Sequence, residues 1–202
     1  MHGLVNRAIE CFLRDTYGDA RWASIACAGG VDAGEFETML EYGDAVTDAV
    51  LDAAAASLDK PVDDLLEDLG IYLVSHPDRE RLRRLLRFGG VSFEDFLHSL
   101  DDLRERGRLA VPDLDLPDLE LRDEGGGRFS VTCRARHPGF APVVTGLLQA
   151  MADDYGALIT LERVAQSDGV ERIEIRLLDR AHAAGRRFEL AGVGAPVRQD
   201  AP

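Results

Sequence analysis

The hydrophobic residues in the first half of the chain recur every three or four positions, a pattern that predicts amphipathic α-helices. One apolar stripe lies within residues 4–13, a second within 46–58 and a third within 62–73. Pro61 suits the first turn of the third helix, where its missing N–H has no helical partner to lose. Residues 79–87 predict a short basic helix. We therefore expect a helical first half.

A charged residue prolongs the apolar face of the next predicted helix, residues 92–106, which ends near Gly107. Arg104 lies one helical step after Leu97 and Leu100. A guanidinium is always protonated and is seldom buried without a partner. Arg104 is therefore a candidate functional residue. The apolar residues of this stripe are Phe93, Phe96, Leu97, Leu100 and Leu103.

The pattern changes after Pro112 and Pro117, where alternating hydrophobic and polar residues predict β-strands. Two glycine-containing segments, residues 125–127 and 167–169, predict the turns of two antiparallel hairpins. The strands are predicted at residues 119–122, 129–134, 158–164 and 172–178, and a helix at 139–155.

These elements predict an α+β fold that forms one integrated domain over residues 1–182. Its helical part covers residues 1–110, and its α+β part, an antiparallel sheet with packed helices, covers residues 111–182. The short connections between the elements favour one domain. Residues 183–202 are rich in Gly, Pro and Arg, which predicts a flexible tail.

Composition and charge exclude several classes of function. The 202 residues are 46% hydrophobic, and their formal charge of -14 disfavours nucleic acid or an anionic membrane as a partner. No apolar run reaches the roughly 18 residues of a transmembrane helix, and the first residues lack a signal-peptide pattern. Cys11, Cys27 and Cys133 form no Cys-x-x-Cys pair, which indicates a reduced, cytoplasmic protein. Because no catalytic or metal-binding motif is found, we expect neither an enzyme nor a metal site.

Several segments carry a resemblance to one family. They are MHGLVN at residues 1–6, Tyr17-Gly18 with Trp22, the stripe Phe93–Leu103 followed by Pro112 and Pro117, Gly139-Phe140-Ala141-Pro142, and Gly146-Leu147-Leu148. In this order and spacing they resemble the heme-nitric oxide/oxygen-binding (H-NOX, HNOB) family, from Met1 to about Leu178. The resemblance implies the H-NOX fold and a sensory role. In that family a heme-bound gas changes the protein, and the change reaches a partner such as a histidine kinase or a cyclic-di-nucleotide enzyme.

By this resemblance, the four positions that hold heme in the family carry other residues here. Arg104, flanked by Pro117, stands where the family has its proximal histidine. Cys133, Ala135 and His137 stand where the family has the Tyr-x-Ser-x-Arg motif for the heme propionates. A protonated guanidinium cannot ligate iron, and cysteine and alanine offer propionates no good hydrogen-bond donors. The resemblance therefore implies a sensor without the family's heme contacts.

We accordingly expect a heme-independent sensor with no cofactor, which signals through a separate partner protein. The resemblance places Val5 and Ile9 in the distal part of the pocket, where apolar side chains give a bound gas no hydrogen bond. The expected ligand is a small anionic or apolar molecule. Two alternatives remain open: a heme-binding nitric oxide or oxygen sensor with different ligation, and a ligand-free interaction scaffold.

The orientation of Arg104 has two interpretations. The side chain either reaches solvent and pairs with a carboxylate such as Asp101, or it points into the pocket and binds a ligand's carboxylate or phosphate. Arg136 adds an alternative, because a β-bulge would turn it toward a propionate. His98 is predicted to face away from the Arg104 position, so we do not expect it to ligate iron.

Overall fold

The computed structural model describes residues 1–34, 36–165 and 170–188. Within these residues the chain forms helices in its first half and a mixed region of sheet and helix in its second half. The α-helices are α1 Gly3–Tyr17, α2 Asp19–Ala28, α3 Asp44–Leu58, α4 Val62–Ser75, α5 Glu80–Arg87, α6 Phe93–His98, α7 Leu103–Ala110 and α8 Phe140–Tyr155. A 3-10 turn covers Pro77–Arg79, and the strands are β1 Asp118–Gly125, β2 Arg128–Arg134, β3 Leu158–Ala165 and β4 Val170–Asp179.

The four strands form one antiparallel sheet in the order β1-β2-β4-β3. Alternate residues of β2 face the core, so Phe129, Val131 and Cys133 are buried, and Ile173 and Ile175 of β4 lie beside them. Apolar residues of α6 and α8 complete this core. The sheet, α6 and α8 therefore share one hydrophobic core.

A second core lies among the N-terminal helices, around Trp22 and Ile25. Helices α4 and α8 bring the two cores together, because they cross at glycines. A Cβ on Gly70 would lie 2.1 Å from the main-chain oxygen of Val143, and a Cβ on Gly146 would lie 1.9 Å from that of Glu67. The two backbones are therefore in direct contact.

The predicted α+β fold is confirmed, but the predicted helix 92–106 is wrong. The chain forms two helices, α6 and α7, separated by a turn. Leu100 and Leu103 each donate to the main-chain oxygen three residues earlier, and the Ser99 hydroxyl donates to the Phe96 carbonyl at 2.8 Å. Side-chain bonds of this kind compete with helical ones. Arg104 consequently lies in the first turn of a new helix.

Other elements of the structure differ from the prediction or lie where it cannot be compared. Helix α2 was not predicted, because only Trp22, Ile25 and Ala26 on it are buried and its apolar stripe is weak. The predicted turn at 167–169 lies outside the described residues, as do 189–202 of the predicted tail. The amide of Ala183 donates to the main-chain oxygen of Gly156, so residues 183–188 contact the domain. Among the described helices, none has the length and apolarity needed to cross a membrane.

Candidate functional site

A cavity of about 270 Å³ lies between α1, α3, α4 and the first turn of α8. Helices α4 and α8 form one wall of the cavity. The close contact at their glycines sets the position of that wall. Most of the wall is aliphatic, and the polar residues lie at the start of α3 and in the loop before α8. The lining residues are Met1, Val5, Ile9, Asp44, Thr47, Asp48, Leu51, Leu66, Leu69, Arg136, His137, Pro138, Gly139, Phe140 and Val143.

Charged groups gather at one part of this lining. The Nδ1 atom of His137 lies 3.1 Å from a carboxylate oxygen of Asp44, and the His137 side chain is 15% exposed. A hydrogen bond from the Met1 amine, with the nearby His137, lowers the pKa of the Asp44 carboxyl. Arg136 also lines the cavity, although its side chain is 79% exposed. The cavity thus has aliphatic walls and a polar rim, where the nitrogen donors of Arg136 and His137 lie beside the carboxylates of Asp44 and Asp48.

The structure brings three of the predicted site residues together. Val5 and Ile9, one turn apart on α1, lie in the cavity wall, and His137 lies at its rim. Arg136 joins them because β2 ends at Arg134, so strand alternation no longer turns the Arg136 side chain away. The sequence pattern predicted the apolar faces of α4 and α8, which include Leu66 and Val143. It did not predict that these faces lie against α1.

The other predicted site residues do not line the cavity. Cys133 is buried in the core of the sheet, and burial raises the pKa of its thiol to about 12. Ala135 follows the last residue of β2 and is half-buried, and Pro117 is buried just before β1. These three residues support the sheet and its connections.

Arg104 is half-buried and lies apart from the cavity lining. Its Nη2 atom is 3.4 Å from a carboxylate oxygen of Asp115, and its side chain is 34% exposed. The other carboxylate oxygen of Asp115 lies 3.9 Å from Nε of Arg136. The acidic partner of Arg104 is therefore Asp115 and not Asp101, whose carboxylate accepts a hydrogen bond from the Leu121 amide at 2.8 Å.

Other polar sites in the described residues are less suited to an apolar ligand. A depression of about 290 Å³ on the solvent face of the sheet mixes charges of both signs, with Arg128, Arg176 and Glu174 among its lining residues. His98 is 56% exposed and lies 3.8 Å from Asp123. Across the described part of the chain, no three His, Cys, Asp or Glu side chains are grouped as metal ligands. The cavity behind α1 is therefore the candidate site.

The fold is similar to those of solved H-NOX proteins. An H-NOX protein from S. oneidensis in the Fe(II)NO ligation state superposes with a TM-score of 0.74 at 12% sequence identity, over 89% of this chain and 100% of that chain. An oxygen-binding H-NOX domain related to soluble guanylate cyclases, in its oxygen complex, gives a TM-score of 0.70 at 14% identity, over 93% and 100% of the two chains. At these identities the likeness establishes the fold alone.

Curated relatives are longer proteins. Soluble guanylate cyclase gcy-31 of Caenorhabditis elegans is 23% identical over 154 residues, which are 76% of this chain and 22% of that protein. Soluble guanylate cyclase 89Db of Drosophila melanogaster is 20% identical over 167 residues, or 83% of this chain and 25% of that protein. The chain therefore spans about a quarter of the length of the curated relatives that it matches.

The family model described as Haem-NO-binding matches residues 2–163, most of the chain. The prediction that the protein has no cofactor is wrong, because heme is the group of this family and of the solved H-NOX neighbours. The chain carries other residues at four of the family's heme positions, and a cavity is present between α1, α3, α4 and α8. The domain of this family is a sensor in signalling and is not itself catalytic. This chain belongs to the Haem-NO-binding family.

Proposed function

We propose that this chain is a gas-sensing domain that holds heme in the cavity between α1, α3, α4 and α8. The observation that carries the proposal is the aliphatic cavity with Arg136 and His137 at its rim, in a domain of the Haem-NO-binding family. Heme combines an apolar ring with two carboxylates. Aliphatic walls suit the ring, and cationic or donor side chains at a rim suit the carboxylates.

The residues of the cavity fit heme in their chemistry. His137 carries the only imidazole among the cavity-lining residues of the described chain. The Asp44 carboxylate beside its Nδ1 is the arrangement that orients a metal-ligating histidine and leaves Nε2 free. We therefore assign His137 as the candidate iron ligand and Arg136 as the carboxylate partner. A tetrapyrrole is larger than 270 Å³, so loading requires the cavity walls to move apart.

The distal wall favours nitric oxide over oxygen as the ligand. Iron, when bound, supplies the atom to which the gas attaches, and the surrounding donors decide which gas is held. Val5, Ile9 and Leu69 offer no hydrogen-bond donor. The hydroxyl of Thr47 already donates to the Asn6 side chain at 2.7 Å, within the protein interior. None of these four side chains would therefore donate a hydrogen bond to a bound oxygen.

We further propose that the domain acts on a signalling protein in the cytoplasm and has no catalytic activity of its own. The curated relatives that it matches are guanylate cyclases that are four to five times as long as the matched region. A histidine kinase, a cyclic-di-nucleotide enzyme or a cyclase would be the recipient of the signal. The three free cysteines agree with a reducing compartment.

The test is heme loading and its dependence on the rim. The protein is expressed with a heme precursor, and heme is quantified against protein and by its Soret band. We expect close to one heme per chain and a Soret band that shifts with nitric oxide but not with oxygen. Protein that lacks stoichiometric heme under these conditions would overturn the proposed function.

Matched variants test the residue roles. His137→Ala is expected to remove the spectrum of an imidazole-ligated iron, whereas His98→Ala, an exposed histidine away from the cavity, leaves it unchanged. Arg136→Ala is expected to weaken heme affinity roughly tenfold, as for a lost charge-assisted hydrogen bond. If His98→Ala and His137→Ala change the spectrum equally, the assignment of His137 is wrong.

A further inference from the structure

We propose that residues 183–188, here called the strap, are held by the last turn of α8 and that occupancy of the cavity controls how tightly they are held. The proposal rests on the proposed function of the cavity. It adds how a change in the cavity is transmitted to another part of the domain. Helix α8 contacts both places. Phe140 and Val143 of its first turns line the cavity, and Asp154 and Tyr155 of its last turn contact the strap.

A buried ion pair forms the centre of the strap's attachment. Nε of Arg83 donates to a carboxylate oxygen of Asp154 at 2.7 Å, Nη2 lies 3.3 Å from the other oxygen, and both side chains are 3% exposed. The same Nη2 donates to the main-chain oxygen of Arg187 in the strap at 3.0 Å. A forked guanidinium of this kind fixes its partners in orientation as well as in distance. One side chain of α5 thus ties α8 to the strap.

Two glycines give the strap a close-fitting contact with the end of α8. A Cβ on Gly185 would lie 2.8 Å from the main-chain carbon and oxygen of Tyr155, and a Cβ on Gly156 would lie 2.2 Å from the oxygen of Ala183. The amide of Arg186 donates to the main-chain oxygen of Asp154 at 2.8 Å. Backbone approaches this close admit no side chain at these positions. The contact therefore requires glycine at both positions.

The strap is attached by few groups. Residues 183–187 are exposed, so apolar burial adds little to their attachment. The guanidinium carbon of Arg87 lies 5.1 Å from the centroid of the Phe188 ring. The same carbon lies 3.8 Å from the centroid of the Tyr155 ring, on which the guanidinium stacks. Segments with little buried area open at low free-energy cost. A small displacement of Asp154 or Tyr155 is thus enough to shift the strap between held and released.

The middle of α8 is suited to carry such a displacement. Almost all of its residues between Val144 and Asp154 are buried, and its sixteen residues span about 24 Å. A close-packed helix responds as a rigid element and does not absorb a shift locally. Release of the strap would uncover Arg83 and Arg87 beside the exposed Arg81, which changes the charge that α5 presents to a partner.

Hydrogen exchange measured by mass spectrometry tests the attachment in the heme-free protein. In Asp154→Asn the strap amides are expected to exchange about tenfold faster, because Arg83 loses its buried counter-charge. Asp153→Asn is the matched control, since Asp153 is the preceding, exposed carboxylate of the same helix and is expected to leave these rates unchanged. Gly185→Ala, which removes no charge, is expected to reproduce the faster exchange. Equal rates in Asp154→Asn and Asp153→Asn would overturn the attachment.

The coupling is tested by changing the cavity. We expect the strap amides to differ at least about threefold in exchange rate between heme-free and heme-loaded protein. Val143→Phe, which fills part of the cavity without heme, is expected to change the same amides while β2 amides keep their rates. Rates unaffected by both heme and Val143→Phe would refute the coupling even if Asp154→Asn releases the strap. If no heme loads, the proposed function fails, and Val143→Phe alone decides the coupling.

Discussion

Substitution of Gly70 by alanine sets two physical effects against each other. Gly70 lies within α4, where alanine is the better helix former by about 1 kcal/mol. Propensity alone therefore predicts a more stable protein. The structure predicts the opposite, because Gly70 lies where α4 and α8 cross and both helices form the cavity wall.

The magnitude follows from the space at the crossing. A Cβ at residue 70 would lie 2.1 Å from the Val143 oxygen and 2.8 Å from the Leu147 nitrogen, whereas ordinary contact begins at 3.4 Å. Both atoms are main-chain atoms of α8, so no rotamer change relieves the clash. Overpacking of this kind costs about 3 kcal/mol. After the gain in propensity, we expect a net loss of about 2 kcal/mol, or a Tm lower by about 4–8 °C in a chain of this size.

Urea unfolding followed by circular dichroism measures the change. Gly107→Ala is the matched control, because Gly107 is also helical but its nearest neighbour is the end of the flexible Leu116 side chain. We expect its free energy of unfolding to stay within about 1 kcal/mol of the parent. A Gly70→Ala protein as stable as Gly107→Ala, or more stable than the parent, would refute the backbone contact between α4 and α8.

Three further outcomes check burial and ionisation. The thiol of Cys133, with its pKa raised to about 12 by burial, is expected to resist a thiol reagent at pH 8 that labels the exposed Cys27, and to react once the protein is unfolded. Burial raises the pKa of Tyr72 to about 12, so ultraviolet titration should show it ionising late, and the stability it adds below pH 10 should disappear as the pH rises through 12. Phe96→Ala should cost about 3–5 kcal/mol and Phe88→Ala almost nothing, because the two side chains are 0% and 73% exposed.

The hydrophobic periodicity predicted most helices and strands, but it failed near Arg104, on which the predicted site depended. The apolar spacing from Phe93 to Leu103 is continuous, since the turn between α6 and α7 keeps Leu100 toward the core. The break shows only in residues that favour turns, Ser99 and the two aspartates after it. A hydrophobic stripe records which residues face the core and does not record whether one helix or two present them.

The cavity was harder to predict than the fold because its parts come from distant segments. The aliphatic stripe of α4 predicts a buried face, but not that Leu66 meets Val5 and Val143. The alternative for Arg136 required a β-bulge to turn its side chain toward the pocket, but none is needed, because β2 ends at Arg134. The alternation located the end of the strand, but it gave no direction for the side chains of the loop that follows, Arg136 and His137.

Because Arg104 lies outside the cavity lining, its substitution is expected to affect heme binding only through Asp115. Arg104 and Arg136 both approach Asp115, so Arg104→Ala leaves Asp115 to Arg136 alone and draws that guanidinium away from the cavity. The pairs are long, at 3.4 and 3.9 Å, and open to solvent on at least one side, and pairs at the surface are worth about 0.2–1 kcal/mol. We therefore expect Arg104→Ala to weaken heme affinity by less than about fivefold, against roughly tenfold for Arg136→Ala. A heme titration that ranks Arg104→Ala as the more damaging change would place the carboxylate contact on α7 and not on the loop before α8.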